Sequence, residues 1–358
     1  MSIIMKKEYV YAVIAVVVLM MLSACREDKI SGDGVDLTNE FAVADDPNDS
    51  VEHERYLIYK EYGVPVLFND TIAVRQTGTD LYGNPVMQYE TVDLNWDFDS
   101  YSNSVEYKYE YIQDDADRMK ALRFARQFLS LCSKRMRPFS IMMADNVTTE
   151  PETSSLAEKN YISGFRTLVF YNVTGLDDSE VLTTATSVIN DMVTQKVKAD
   201  RDLCSQFEEV STKYYYRAWD DLGGCSTYLA YKEQNSNVSP NTLFYGVPYN
   251  AVEGNIAVHK LDLCDLLTSR NLVTSRKEAE KVRSTIAGEI GAYGFIRGNK
   301  NTGALTPSDA EEDRNYFIQA ILYLGADTFT ARYGRCTLVM EKYQLLYDFI
   351  TNELGITL

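Results

Sequence analysis

The chain has 358 residues, 45% hydrophobic and 24% charged, the balance of an ordinary folded protein with ample core rather than of a disordered or fibrous one. Its 52 acidic side chains against 35 Lys and Arg leave a formal charge of −17. Such a surface repels nucleic acid and anionic lipid and excludes both as electrostatic partners.

At the N-terminus Lys6 and Lys7 precede an almost wholly apolar run over residues 10–21, closed by Leu22-Ser23-Ala24-Cys25. The order of a positive end, a short apolar segment and small residues before a cysteine is that of a lipoprotein signal peptide. The run is too short for the roughly 20 residues that cross a bilayer as a helix. Cleavage before Cys25 and lipidation of that cysteine are therefore expected, with residues 1–24 removed. Multiple acylation is needed, because one chain anchors only marginally. Residues 25–50, rich in Asp, Gly, Asn and Ser, read as a flexible tether, and residues 51–358 as one domain.

Within that domain a short helix is expected over residues 52–61, then strands over 64–68, 86–96 and 105–111. Leu122, Ala125, Leu129 and Cys132 share one face of a helix spanning 114–135. Pro138 ends it, and strands follow at 139–144 and 164–173. Asp178 can cap a helix reaching Lys198, with Val181, Ala185, Val188 and Met192 inward. Ser275-Arg-Lys-Glu278 and Ser308-Asp-Ala-Glu311 are capping-box patterns opening helices to about 294 and 324. The last helix covers about 337–354. Strands early and helices late predict an α+β fold with one mixed sheet and a helical C-terminal half.

Chemistry is sparse. The only histidines are His53 and His259, so neither a His-Glu-x-x-His zinc helix nor a His-rich site can be assembled. No nucleophile elbow, phosphate loop or dinucleotide fingerprint is present. Beyond Cys25, Cys132, Cys204, Cys225, Cys264 and Cys336 form no Cys-x-x-Cys pair and read mainly as small buried hydrophobes. Asp220-Asp221 and Glu311-Glu312-Asp313 read as solvated faces.

Several phrases recur in one order. They are Tyr56-Leu-Ile-Tyr-Lys-Glu-Tyr-Gly-Val-Pro-Val-Leu-Phe68, Leu168-Val-Phe-Tyr-Asn-Val-Thr-Gly-Leu176 and Phe207-Glu-Glu-Val-Ser211. The stretch from Tyr214 to Trp219, the pair Glu312-Asp313 and the closing Gly355-Ile-Thr-Leu358 complete the series. In this order the chain resembles the substrate-import-associated zinc metallohydrolase lipoproteins of Bacteroidetes, which are encoded beside SusC- and SusD-like transport genes. The resemblance implies a zincin-like metallopeptidase architecture and an outer-membrane location, on the periplasmic face or the cell surface. It also implies SusC/SusD-like partners and a glycan or peptide ligand. It places the two zinc histidines at Asn190 and Thr194, the glutamate at Asp191 and the last carboxylate ligand at Tyr316. Amide and hydroxyl groups are poor zinc donors, so the zinc site is expected to be lost and no cofactor bound. An alternative placement on Gly288-Glu-Ile-Gly-Ala292 also lacks histidine.

Three functions follow from this reading. The first is a non-catalytic binding or accessory component of a glycan or nutrient uptake system, with Tyr214, Tyr215, Tyr216 and Trp219 as a stacking platform. The second is a hydrolase, peptidase or glycosidase, working through carboxylates such as Asp191, Glu312 and Asp313 or through an unrecognised metal site. The third is a structural lipoprotein whose cleft has filled. The plain alternatives are packing beneath a loop for the aromatic cluster and a solvated helix face for Asn190, Asp191 and Thr194.

Overall fold

The computed structural model describes residues 41–92, 106–150, 160–164, 166–244 and 262–358. The signal segment, Cys25, the tether up to residue 40, the end of the expected 86–96 strand and His259 lie outside them. The described residues begin at Phe41, within the expected tether, and belong to the unit Phe41–Leu358. The Phe41 ring meets Phe139 edge-on at 4.9 Å, and Asp45 takes a 2.6 Å contact from His53.

The architecture is α+β. Strands β1 (Val66–Leu67), β5 (Ser140–Glu150), β7 (Thr167–Phe170) and β6 (Tyr161–Ser163) lie in the order β1-β5-β7-β6, and β4 (Glu106–Tyr111) pairs along the outer half of β5. β1, β5 and β7 run parallel, whereas β4 and β6 are antiparallel to their neighbours. The sheet is therefore mixed, as expected. A separate antiparallel hairpin joins β2 (Thr71–Thr79) and β3 (Pro85–Thr91).

Period-two alternation divides the sheet between two cores. Val66, Ile141, Met143, Leu168 and Phe170 face the large core beneath the helices. Leu67, Met142, Ala144, Val169 and Tyr171 face a smaller cluster on the other side. Central strands covered on both faces read as unbroken apolar runs rather than alternating ones, which is why Ile141-Met-Met-Ala144 and Leu168-Val-Phe170 stand out in the sequence.

Helix α1 (Ser50–Tyr62) and helix α2 (Asp115–Leu131) lie on the large-core side. Asp49 and Asp114 cap them, each carboxylate accepting two backbone N–H groups of its first turn. Phe124 and Phe128 of α2 clasp Phe170 of β7, edge-on at 4.9 and 5.0 Å, and all three are fully buried. Helix α3 (Asp178–Ala199) opens on a reciprocal capping box. Asp177, one residue earlier than expected, accepts from Glu180 N, and Glu180 answers to Asp177 N.

The C-terminal half is helical throughout its described part: α4 (Arg201–Glu209), α5 (Ser226–Gln234), α6 (Leu263–Ser269), α7 (Arg276–Gly291), α8 (Ala310–Leu324), α9 (Ala326–Tyr333) and α10 (Thr337–Asp348). A single π turn, Phe349–Glu353, ends it. Ser275 caps α7 as expected. At α8 the cap is Asp309, which accepts from Glu312 N at 2.9 Å, so Ser308 and Glu311 are not the box. The loop before α8 makes a close approach: the Gly303 carbonyl receives Trp219 Nε1–H at 3.0 Å and the Tyr228 hydroxyl at 3.2 Å. A Cβ on Gly303 would stand 1.8 Å from Ser239 Oγ, so only glycine fits there.

The cysteines bear out the expected burial. Cys132, Cys225, Cys264 and Cys336 are buried, Cys204 is half-buried, and all five are free thiols. Burial pushes the Cys132 thiol up to about 11 and the Cys225 thiol up to about 12, so neither is a thiolate nucleophile at neutral pH.

The aromatic clasp of helix on sheet predicts that Phe170→Ala costs about 3–5 kcal/mol, because the cavity it leaves is walled by two rings and strand backbone. Urea unfolding should show a lower midpoint at unchanged slope; an unchanged midpoint would refute the clasp.

Candidate functional site

Helix α3 carries the residues that the resemblance places at the zinc site, and the structure commits each to a structural contact. Asn190 donates from Nδ2 to the Tyr323 hydroxyl on α8. Thr194 donates from Oγ1 to the Asn190 carbonyl one turn back, at 2.9 Å. Lys198 and Glu311 bind the same two helices together at 2.9 Å. Asp191 is not solvated: it is buried, and its carboxylate accepts the Tyr161 hydroxyl from edge strand β6. Burial, together with that carboxylate, holds the Tyr161 phenol well above the ordinary tyrosine range, so it donates as a neutral hydroxyl.

Tyr316 is buried on α8. Its hydroxyl donates to Glu312 Oε1 at 2.6 Å, and the Arg297 guanidinium lies 4.7 Å over its ring. Amide, hydroxyl and phenol groups held this way do not fit a zinc ion. Among the described residues no three His, Cys, Asp or Glu side chains gather as a cation site. At the alternative placement, Glu289 caps α5 by accepting Thr227 N at 2.8 Å and Tyr228 N at 3.0 Å.

The acidic pair of α8 is not a solvated face either. Glu312 organises the preceding loop, accepting the Ser308 N–H at 2.6 Å, the Ser308 hydroxyl at 2.7 Å and the Lys300 N–H. Asp313 is fully buried, and so is Lys342 of α10, which donates to Asp313 Oδ2 at 2.6 Å. Lys342 also donates to the Gly294 carbonyl at 3.1 Å, and the Tyr215 hydroxyl reaches Asp313 Oδ2 at 3.1 Å. Phe207 and Phe295 hold their rings 4.8 Å from the ammonium. Burial raises the Asp313 carboxyl, against the pull of Lys342 and Tyr215, and lowers the Lys342 ammonium, against the pull of Asp313. Both directions come from lost hydration; the 2.6 Å contact opposes them. Of the expected carboxylates, Asp220 and Asp221 alone are exposed as a pair.

The aromatic cluster is mostly internal. Trp219 is fully buried beside Phe295 and Tyr228. Tyr215 faces the ion pair, and Tyr214 packs edge-on to Tyr293 at 5.1 Å. Only Tyr216 of the four is an exposed ring. It stands at φ 52, the left-handed region that costs a bulky residue most. Tyr214, Tyr215 and Trp219 are thus used in packing, and Tyr216 alone offers an open ring.

What sequence reading missed is a cleft of about 440 Å³ on the opposite side of α3. Its walls are β6 with the start of β7, the segment leading into β5, and the α3 face carrying Met192, Gln195, Lys196 and Ala199. Met192, expected inside, is half-buried on this wall. The Tyr161–Asp191 bond spans β6 and α3 beside it. Arg135, Arg137, Arg166 and Lys196 all line it, and among the described residues no Asp or Glu does. Another concavity, of about 510 Å³, lies where α7 meets the start of α10 and is lined by Gly288, Gly291 and Ala292 with Arg335 as its one charged group. Compared with known protein families, curated proteins and solved structures, the chain matches none of them.

The buried pair generates a sharp expectation. Lys342→Met should lose about 3–5 kcal/mol, because it strands the Asp313 charge in an aromatic core, whereas Lys342→Met with Asp313→Leu should recover most of the loss. Urea midpoints of the single and double variants check this; additive losses would show that the two groups do not act as a pair.

Proposed function

We propose that the chain is a lipid-anchored, non-catalytic binding or accessory component of an outer-membrane nutrient uptake system, on a zincin-like scaffold that has lost its zinc site. The observation that carries the reading is the division of α3 into two faces. On one, Asn190 and Thr194 are used in the helix's contact with α8 and within its own turn. On the other, a ligand-sized cleft stays open against edge strand β6. Cavities of roughly 300–1,000 Å³ that mix apolar walls with a few polar groups are where small ligands bind. Activation of water needs a metal or a free general base. Asp191, Glu312 and Asp313 are each engaged by phenol, backbone or ammonium donors, which favours binding over hydrolysis. In this reading Cys25 holds the chain to the membrane, and SusC/SusD-like proteins supply the transport route. The anchor is supported by the signal pattern at residues 6–25.

The test is the metal content of the purified chain after incubation with zinc and dialysis, read by mass spectrometry. The expected stoichiometry is near zero; about one firmly held zinc per chain would overturn the non-catalytic reading and leave a metallopeptidase-type site. Independently, Cys25→Ser is expected to abolish incorporation of labelled fatty acid and release the chain from the membrane fraction. Retained labelling would place the anchor elsewhere.

A further inference from the structure

We propose that the cleft between β6 and α3 selects a small organic oxyanion, a carboxylate- or phosphate-bearing molecule of about sugar size. The proposal rests on the binding reading above and specifies the chemistry of that site.

Acidic side chains outnumber basic ones 52 to 35 in this chain, so a concavity lined without regard to charge would carry carboxylates. Among its described lining residues this one carries Arg135, Arg137, Arg166 and Lys196 and no carboxylate. The four come from three separate segments: the turn after α2, the start of β7, and the last turns of α3. Bringing four like charges to one concavity costs free energy unless something of opposite sign is drawn in. Among the described residues none of the four makes an ion pair.

The arginines are held by neutral groups and keep donors in reserve. Arg135 donates from Nη1 to the carbonyls of Asn352 and Glu353 at the chain's end. Arg137 donates from Nη1 to the Tyr62 carbonyl at 3.2 Å and lies 5.0 Å over the Tyr62 ring, with its Nε buried and without a hydrogen-bond partner. Arg166 lies over Phe139, its guanidinium carbon 4.0 Å from the ring centre. A ring face holds a guanidinium without using its N–H donors, which stay able to take an oxyanion in two parallel bonds. Carbonyls and ring faces position these cations without neutralising them.

The net charge of −17 repels anions at long range, but at physiological salt that field is screened over about 8 Å. Inside the cleft the four nearby cations therefore decide the sign of the potential. Phe139, Met136 and Met192 supply an apolar wall beside them, which suits an organic anion better than a bare inorganic ion.

The experiment titrates the purified full chain calorimetrically with a matched set: glucose, glucuronate and glucose 6-phosphate, at low and at physiological salt. Arg166→Gln and Lys196→Gln are the test variants, since both side chains are exposed and make no hydrogen bond or ion pair among the described residues. Lys277→Gln, exposed on α7 outside the cleft, makes the same change of net charge as a control. The expected result is binding of glucuronate, glucose 6-phosphate or both, weakening with salt, and no measurable binding of glucose. Each cleft variant should bind about tenfold more weakly, the effect of losing one charged contact, and Lys277→Gln should bind as the native chain does. Which acid binds separates carboxylate from phosphate recognition. Equal binding of glucose overturns the selection for anions and leaves the binding reading standing. Equal weakening by Lys277→Gln overturns the cleft as the place. Failure of all three sugars to bind at millimolar concentration overturns the proposal, whereas only retained zinc overturns the non-catalytic reading beneath it.

Discussion

Two opposite charges lie at the centre of the helical half, Asp313 on α8 and Lys342 on α10, 2.6 Å apart and wholly out of water. Neither can be buried alone, because an unpaired ion in an apolar medium costs several kcal/mol more than its contacts return. The helices that carry them must therefore arrive together and in one register. The same constraint draws in Tyr215, whose hydroxyl completes Asp313, and the Gly294 carbonyl, which accepts from Lys342. A buried pair adds little net stability over an apolar replacement. What it does add is the exclusion of packings in which α8 slides or turns against α10.

With α8 so placed, its outer side meets α3. Tyr323 takes Asn190, and Glu311 takes Lys198, so one flank of α3 becomes an interface between helices. The other flank faces β6, where the Tyr161 hydroxyl and the Asp191 carboxylate join strand to helix. The cleft runs beside that bond. The position of the cleft thus follows from the core pair through α8 and α3, rather than from any local motif at its rim.

The contrast between the two flanks is also one of charge. Facing α8, opposite charges are matched across the interface. In the cleft, the contacts of its arginines among the described residues are carbonyls and aromatic rings. Surface ion pairs are nearly neutral in energy, so their presence at one flank decides little. Unmatched like charges in a concavity are a different matter, since their mutual repulsion is relieved only by an anion.

Much of the fold is legible along the chain. Apolar runs at Ile141-Met-Met-Ala144 and Leu168-Val-Phe170 announce strands covered on both faces. The 3.6-residue stripes of α2 and α3, and the caps of α1, α2 and α7, follow from local chemistry that needs no tertiary partner. Cysteines without metal-type spacing read as core residues for the same reason. Strands of two and three residues, β1 and β6, leave no periodic signal, because they exist only by pairing with β5 and β7. Charge alone sends Asp191 and Asp313 to the surface, and leaves the stretch from Tyr214 to Trp219 open between a binding face and packing beneath a loop. Both carboxylates lie inside, because burial of a polar group depends on a partner some 30 residues away or more, and Trp219 turns inward because its acceptor is at Gly303. The four cations of the cleft are scattered between residues 135 and 196, and no spacing rule connects them. Local propensity and periodicity thus determined the elements, whereas three-dimensional assembly decided which polar groups find partners inside and which are gathered, unmatched, around the open cleft.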